Sequence, residues 1–83
     1  LYIEAYGNYL NVYTREEKFM IREKLHEIEK KLPPKLFVRI HKSFIVSLNR
    51  ISSVKGNRVM IGDIAIPIGD YYKAELDKRI KGS

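Results

Sequence analysis

Phe37-Val38-Arg39-Ile40-His41-Lys42-Ser43-Phe44-Ile45-Val46 is the stretch whose reading decides the fold. Its two apolar pieces, Phe37 to Ile40 and Phe44 to Val46, read as strands. Between them stand His41, Lys42 and Ser43, three side chains that all form hydrogen bonds and include one fixed cation. A short polar clasp between two core-anchored strands makes a rigid projecting loop, and rigid loops are suited to binding groups.

Working outward, Leu1, Ile3 and Ala5 alternate, and Leu10 and Val12 alternate again after a turn at Gly7-Asn8. This predicts a hairpin. Thr14 to Glu17 is a second turn, and Lys18 to Arg22 a third short strand carrying Phe19 and Ile21. The period then changes. Leu25, Ile28 and Leu32 fall on one helical face, with acids early and lysines late, which predicts a helix from near Glu23 to Leu32. No strong capping residue marks its start, and Pro33-Pro34 ends it.

Beyond the clasp, Ile51 to Lys55 and Arg58 to Ile61 read as strands around a two-residue turn at Gly56-Asn57. Gly62-Asp63 turns into Ile64 to Pro67. Asp70 to Ile80 carries Tyr72, Leu76 and Ile80 at helical spacing, with Asp70 as the expected N-cap and Lys81-Gly82-Ser83 as a tail. The prediction is a mainly β, small multi-sheet domain of about seven short strands and two short helices. It occupies residues 1–83 as a single domain.

Eighty-three residues suffice for one core. The absence of cysteine excludes disulfides and thiolate metal sites and suits a reducing compartment. No apolar run approaches a membrane span, so no membrane contact is expected of this segment. Charge is uneven. Residues 1–34 carry six basic and six acidic side chains, whereas residues 35–69 carry six basic side chains against Asp63 alone. Such asymmetry favours a polyanionic partner. Catalysis finds little material, with two histidines, no visible Ser-His-acid arrangement and no phosphate-binding glycine loop. No cofactor or metal is expected, and the chain reads as a non-enzyme.

The wording FVRIHKSFIVSLNRI resembles the LytTR family of bacterial DNA-binding domains, whose pattern runs Phe-x-Arg-(apolar)-His-(Arg/Lys)-Ser-(aromatic)-(apolar)-Val-Asn. Tyr2-Ile3-Glu4-Ala5 followed by Gly7-Asn8-Tyr9 is similar to the family's opening hairpin. Leu25 through Leu32 matches the middle, and Ile51 and Ile66-Pro67-Ile68 leading to Tyr72 match the end. The resemblance implies small β-sheets that read duplex DNA with loops, in the cytoplasm of a bacterium. It also implies a transcriptional output domain behind a receiver or sensor domain of a two-component system, bound to direct repeats that it bends. By position it assigns the reading loops to Gly7-Asn8-Tyr9, His41-Lys42-Ser43 and Gly69-Asp70-Tyr71.

Three departures stand out. Ser47 replaces the usual Asn, with Asn49 nearby. Gly69-Asp70 replaces a usual Ser-Arg, so Asp70 either reads a base or caps the helix. A further strand ahead of Tyr2 is absent, which would leave residues 1–5 as an open sheet edge and favour a homodimer.

The candidate DNA contacts are therefore Asn8, Tyr9, Arg39, His41, Lys42, Ser43, Asn49, Arg50, Lys55, Asp70, Tyr71 and Lys73. Lys42 and His41 are candidates for base edges or phosphate. Ser43, Arg39, Arg50, Lys55 and Lys73 would position the backbone. Each has a plainer alternative: a packed histidine, a solvated charge, or core roles for Tyr9 and Tyr71. Two rival functions remain. One is a small β-barrel for single-stranded nucleic acid, which needs aromatics on one sheet face. Tyr2, Tyr6, Tyr9 and Tyr13 are close in sequence but switch parity at the turn, which does not clearly give such a face. The other is a protein-interaction module using the open edge.

Overall fold

The hairpin of β1 (Tyr2–Tyr6) and β2 (Tyr9–Tyr13) turns at Gly7-Asn8, where Gly7 takes φ 60°. A left-handed glycine in the first turn position matches the right-handed twist of the flanking strands, and Gly56 repeats the device at φ 59°. β3 (Lys18–Ile21) follows and pairs with β2. The structure, a computed structural model, describes residues 1–81.

The clasp forms a hairpin of β4 (Phe37–His41) and β5 (Phe44–Ser47), with a register shift between Arg39 and His41. β5 also pairs with β1, joining Tyr2 to Val46 and Glu4 to Phe44. The result is a five-stranded antiparallel sheet in the order β3-β2-β1-β5-β4. β1 is its middle strand, bonded on both sides. The open edge expected at residues 1–5 is therefore absent, and with it the basis for edge-to-edge dimerisation there.

β6 (Ser53–Lys55), β7 (Arg58–Ile61) and β8 (Ile64–Pro67) form a second, three-stranded sheet. This makes eight strands where about seven were expected. β6 is shorter than predicted because Leu48–Arg50 coil into one turn of 3₁₀ helix, closed by the Ile51 N–H on Leu48 O. Short helical turns of this kind leave no periodic signal in sequence.

α1 (Leu25–Lys31) covers one face of the large sheet and buries Leu25 with Ile3, Leu10 and Ile45. It starts two residues later than predicted, since the Lys24 backbone is extended and offers no side-chain cap. α2 (Asp70–Lys81) closes the second core, in which Leu76 meets Val38, Ile40, Val46, Val59 and Ile66. Lys81 thus ends a helix rather than opening a tail, and residues 82–83 lie outside the described residues. Burying several aliphatic side chains at about 1.5–3 kcal/mol each is what holds the two sheets and two helices together.

Candidate nucleic-acid interface

The clasp is braced from within. The Ser43 N–H donates to His41 Nδ1 at 3.0 Å, and the His41 ring meets Phe44 edge-on at 5.6 Å. With Nδ1 accepting, the donor of the half-buried ring is Nε2–H, which no hydrogen bond engages among the described residues. The packed and binding readings of His41 are therefore compatible. Ser43 O accepts from the Ala5 N–H at 2.8 Å, tying the clasp to β1.

Arg39 supplies the second brace. Its Nε donates to His41 O at 3.1 Å and one terminal nitrogen to Lys42 O at 2.7 Å. The other reaches Glu29 Oε1 on α1 at 3.1 Å, and the guanidinium lies 5.7 Å from the Tyr72 ring centre. Only 17% of the side chain is exposed. Three of its five N–H groups are engaged inside the domain, two of them on clasp carbonyls, so Arg39 braces the loop that carries Lys42.

Register decides which loops stand beside the clasp. β1 ends near the start of β5, so Gly7-Asn8 projects at the clasp end of the sheet. Leu10 pairs with Ile21, which brings the β3–α1 connection to the same end. The Gly69 N–H donates to Ile40 O at 2.7 Å, and a Cβ on Gly69 would stand 3.6 Å from the His41 Cα. Gly69-Asp70-Tyr71 therefore abuts the clasp. The Ile68 N–H donates to Asn57 O at 2.7 Å, which adds the β6–β7 turn with Lys55 and Arg58.

Most of the expected contacts thus converge. Asn8, Tyr9, His41, Lys42, Ser43, Lys55, Asp70, Tyr71 and Lys73 all sit at this end. Tyr9 is 43% exposed and Tyr71 88%, which removes the core role for both. Asn49 and Arg50 do not join them: they follow the far end of β5, so the length of that strand separates them from the clasp. Asp70 is not the N-cap that the sequence suggested. It is the first helical residue, and Gly69 fills the flanking cap position, with Gly69 O accepting from the Tyr72 N–H at 2.9 Å.

The sequence reading missed Arg22, Lys24 and Arg58. All three are exposed at the clasp end, and their side chains make no hydrogen bond or ion pair among the described residues. Arg22 and Lys24 lie in the charge-neutral stretch of residues 1–34, where composition hides them. Glu23, between them, accepts from Lys31 Nζ at 2.7 Å. That hydrogen bond, with the carboxylate's charge, raises the Lys31 ammonium above its ordinary pKa. The acid is thereby occupied by another partner.

The tyrosines also fall differently from the sequence argument. Tyr2 pairs with Tyr13 and Tyr6 with Tyr9, so all four share one sheet face. Tyr2 and Tyr13 stack on each other at 4.4 Å and are half-buried, which leaves Tyr6 and Tyr9 as the exposed rings of the four. Among the described residues no cluster of three metal-ligating side chains forms, and no helix is long and apolar enough to cross a membrane.

A family model described as the LytTr DNA-binding domain matches residues 1–81. The chain is 31% identical over 84 residues to the sensory transduction protein LytT of Bacillus subtilis, covering 94% of this chain and 35% of that protein. It is 41% identical over 54 residues to the transcriptional regulatory protein YpdB of Escherichia coli K12, covering 65% of this chain and 22% of that one. Among solved structures, the LytTr DNA-binding domain of a putative methyl-accepting/DNA response regulator from Bacillus cereus superimposes with TM-score 0.84. The two are 26% identical, and the match covers 99% of this chain and 80% of that one. The chain spans about a third or less of the length of these curated relatives.

Proposed function

The chain belongs to the LytTr DNA-binding domain family, and on that premise we propose how it engages DNA. The domain is a DNA-binding output module. We infer that it grips duplex DNA with the clasp end, Lys42 and His41 facing base edges or phosphate, and the Asn8-Tyr9 and Asp70-Tyr71 loops on either side. Ser43, Lys55 and Lys73 take backbone positions. The observation that carries this reading is the convergence at one end of the molecule of loops distant in sequence. That end displays Arg22, Lys24, Lys42, Lys55, Arg58 and Lys73 against Asp70 and a Glu23 already paired.

The wider context is part of the proposal. The whole protein would be a bacterial, cytoplasmic transcriptional regulator, with a receiver or sensor domain outside this chain. Two such domains would sit on direct repeats and bend the duplex between them. The reading involves no cofactor and no catalytic step.

The test is a titration of the chain with mixed-sequence duplex DNA and with its single strand across a salt series. If about six phosphates are contacted, log affinity falls against log salt with a slope near −5 on duplex. Absence of duplex affinity even at low salt overturns the proposal. Tighter binding to the single strand would favour the stacking alternative, for which Tyr6 and Tyr9 would be the exposed rings.

A further inference from the structure

We propose that the groove between the Gly7-Asn8 turn, the clasp and the β3–α1 connection is a phosphate seat, in which Arg22 and Lys24 hold the DNA backbone. The inference rests on the DNA-binding reading and adds two residues and a cost to it. The groove has a volume of about 560 Å³, and Asn8, Arg22, Glu23, Lys24, His26 and Lys42 are among its polar lining. Its cations come from opposite walls, Arg22 and Lys24 on one and Lys42 on the other. The Glu23 carboxylate, which could neutralise them, is held by Lys31. Arg39 also lines the groove, but its guanidinium is tied to the clasp carbonyls and Glu29.

The backbone at Lys24 shows what this arrangement costs. Lys24 occupies the N-cap of α1, with φ −95° and ψ 145°, and Lys24 O accepts from the Glu27 and Ile28 N–H groups at 3.1 Å each. This is the position where Ser, Thr, Asp or Asn would accept from a free helix N–H. Lysine has no acceptor to offer, and its charge faces the positive end of the peptide dipoles. No carboxylate among the described residues pairs with it. A residue that weakens its own helix while pointing an uncompensated cation into a basic groove is explained by an anion that binds there. Local rules are broken where function requires it.

The experiment pairs Lys24→Ser with Arg22→Gln in this chain. Melting temperature and affinity for mixed-sequence duplex DNA are measured at two salt concentrations a factor of four apart. Lys24→Ser restores a cap and raises the melting temperature by about 4–8 °C. It also removes one phosphate contact, so the fall in affinity between the two salts shrinks by about 3.5-fold. Arg22→Gln gives the same shrinkage without the thermal gain. If wild-type chain binds duplex and both variants keep its full salt dependence, the seat is overturned while the family reading stands. If Lys24→Ser melts lower than wild type, the claim of a stability cost is overturned, and Arg22→Gln with Lys24→Gln still decides the seat. A wild-type chain that binds no duplex overturns both.

Discussion

Replacing Arg39 by Lys separates a loop brace from a DNA contact. The substitution keeps the charge but loses the planar fork that reaches three acceptors at once. Two of the lost hydrogen bonds end on the clasp carbonyls of His41 and Lys42. Such charge-assisted bonds contribute about 1.5–3 kcal/mol when sheltered, and about 1 kcal/mol each where, as here, the acceptor side meets water. The Glu29 pair, with a half-exposed carboxylate, adds a few tenths of a kcal/mol. The contact with Tyr72 adds about 0.5 kcal/mol. Together the variant should lose about 2–3 kcal/mol, or roughly 10–20 °C in melting temperature for a domain of this size.

Binding should fall for a different reason. A loosened clasp must be ordered again on DNA, at about 1 kcal/mol for each backbone position fixed, so roughly tenfold in affinity is expected. The slope of log affinity against log salt should stay as in wild type, because Arg39 touches no phosphate. Denaturation scans and fluorescence anisotropy in a salt series measure both quantities. An unchanged melting temperature, or a slope smaller by about 0.9, would refute the brace and restore Arg39 as a phosphate contact.

Lys42→Ala should cost about 1–3 kcal/mol on a selected target if it reads a base, and equally on random duplex if it holds phosphate. Asn49→Ala and Arg50→Ala, at the opposite end of the sheet, should leave both affinities unchanged, and a loss there would relocate the interface. Asp70→Ala should destabilise by about 0.3–1 kcal/mol, because the carboxylate stands in the first turn of α2 without being its cap. Asp70→Asn that shifts the base preference in a selection experiment at intact stability would make Asp70 a reader.

Strands, turns and helices were legible where the cause is local. The Gly-Asn and Gly-Asp turns announce their hairpins because few residues reach positive φ cheaply. Leu25, Ile28 and Leu32 announce α1 because one apolar face must be buried. The clasp was legible because three polar residues interrupt two apolar strands. Less visible were the 3₁₀ turn at Leu48–Arg50 and the start of α2, each a matter of one or two hydrogen bonds. The tyrosine face stayed unclear while parity was counted along the chain. In a hairpin with a two-residue turn, Tyr2 lies opposite Tyr13 and Tyr6 opposite Tyr9, so parity must be counted across the pair.

The sequence by itself determined the family, the mainly β character, the basic middle of the chain and the clasp that carries Lys42. Only the tertiary structure decided which charges stand together. Strand register brought Arg22, Lys24 and Arg58 to the clasp end and carried Asn49 and Arg50 away from it. It placed β1 in the middle of its sheet rather than at the edge. It also turned Arg39 from a surface cation into the support of a loop. The physical reason is common to all of these. A side chain's type is written in the sequence, but its neighbours are set by pairings between segments far apart in the chain, and those are fixed only when both cores close.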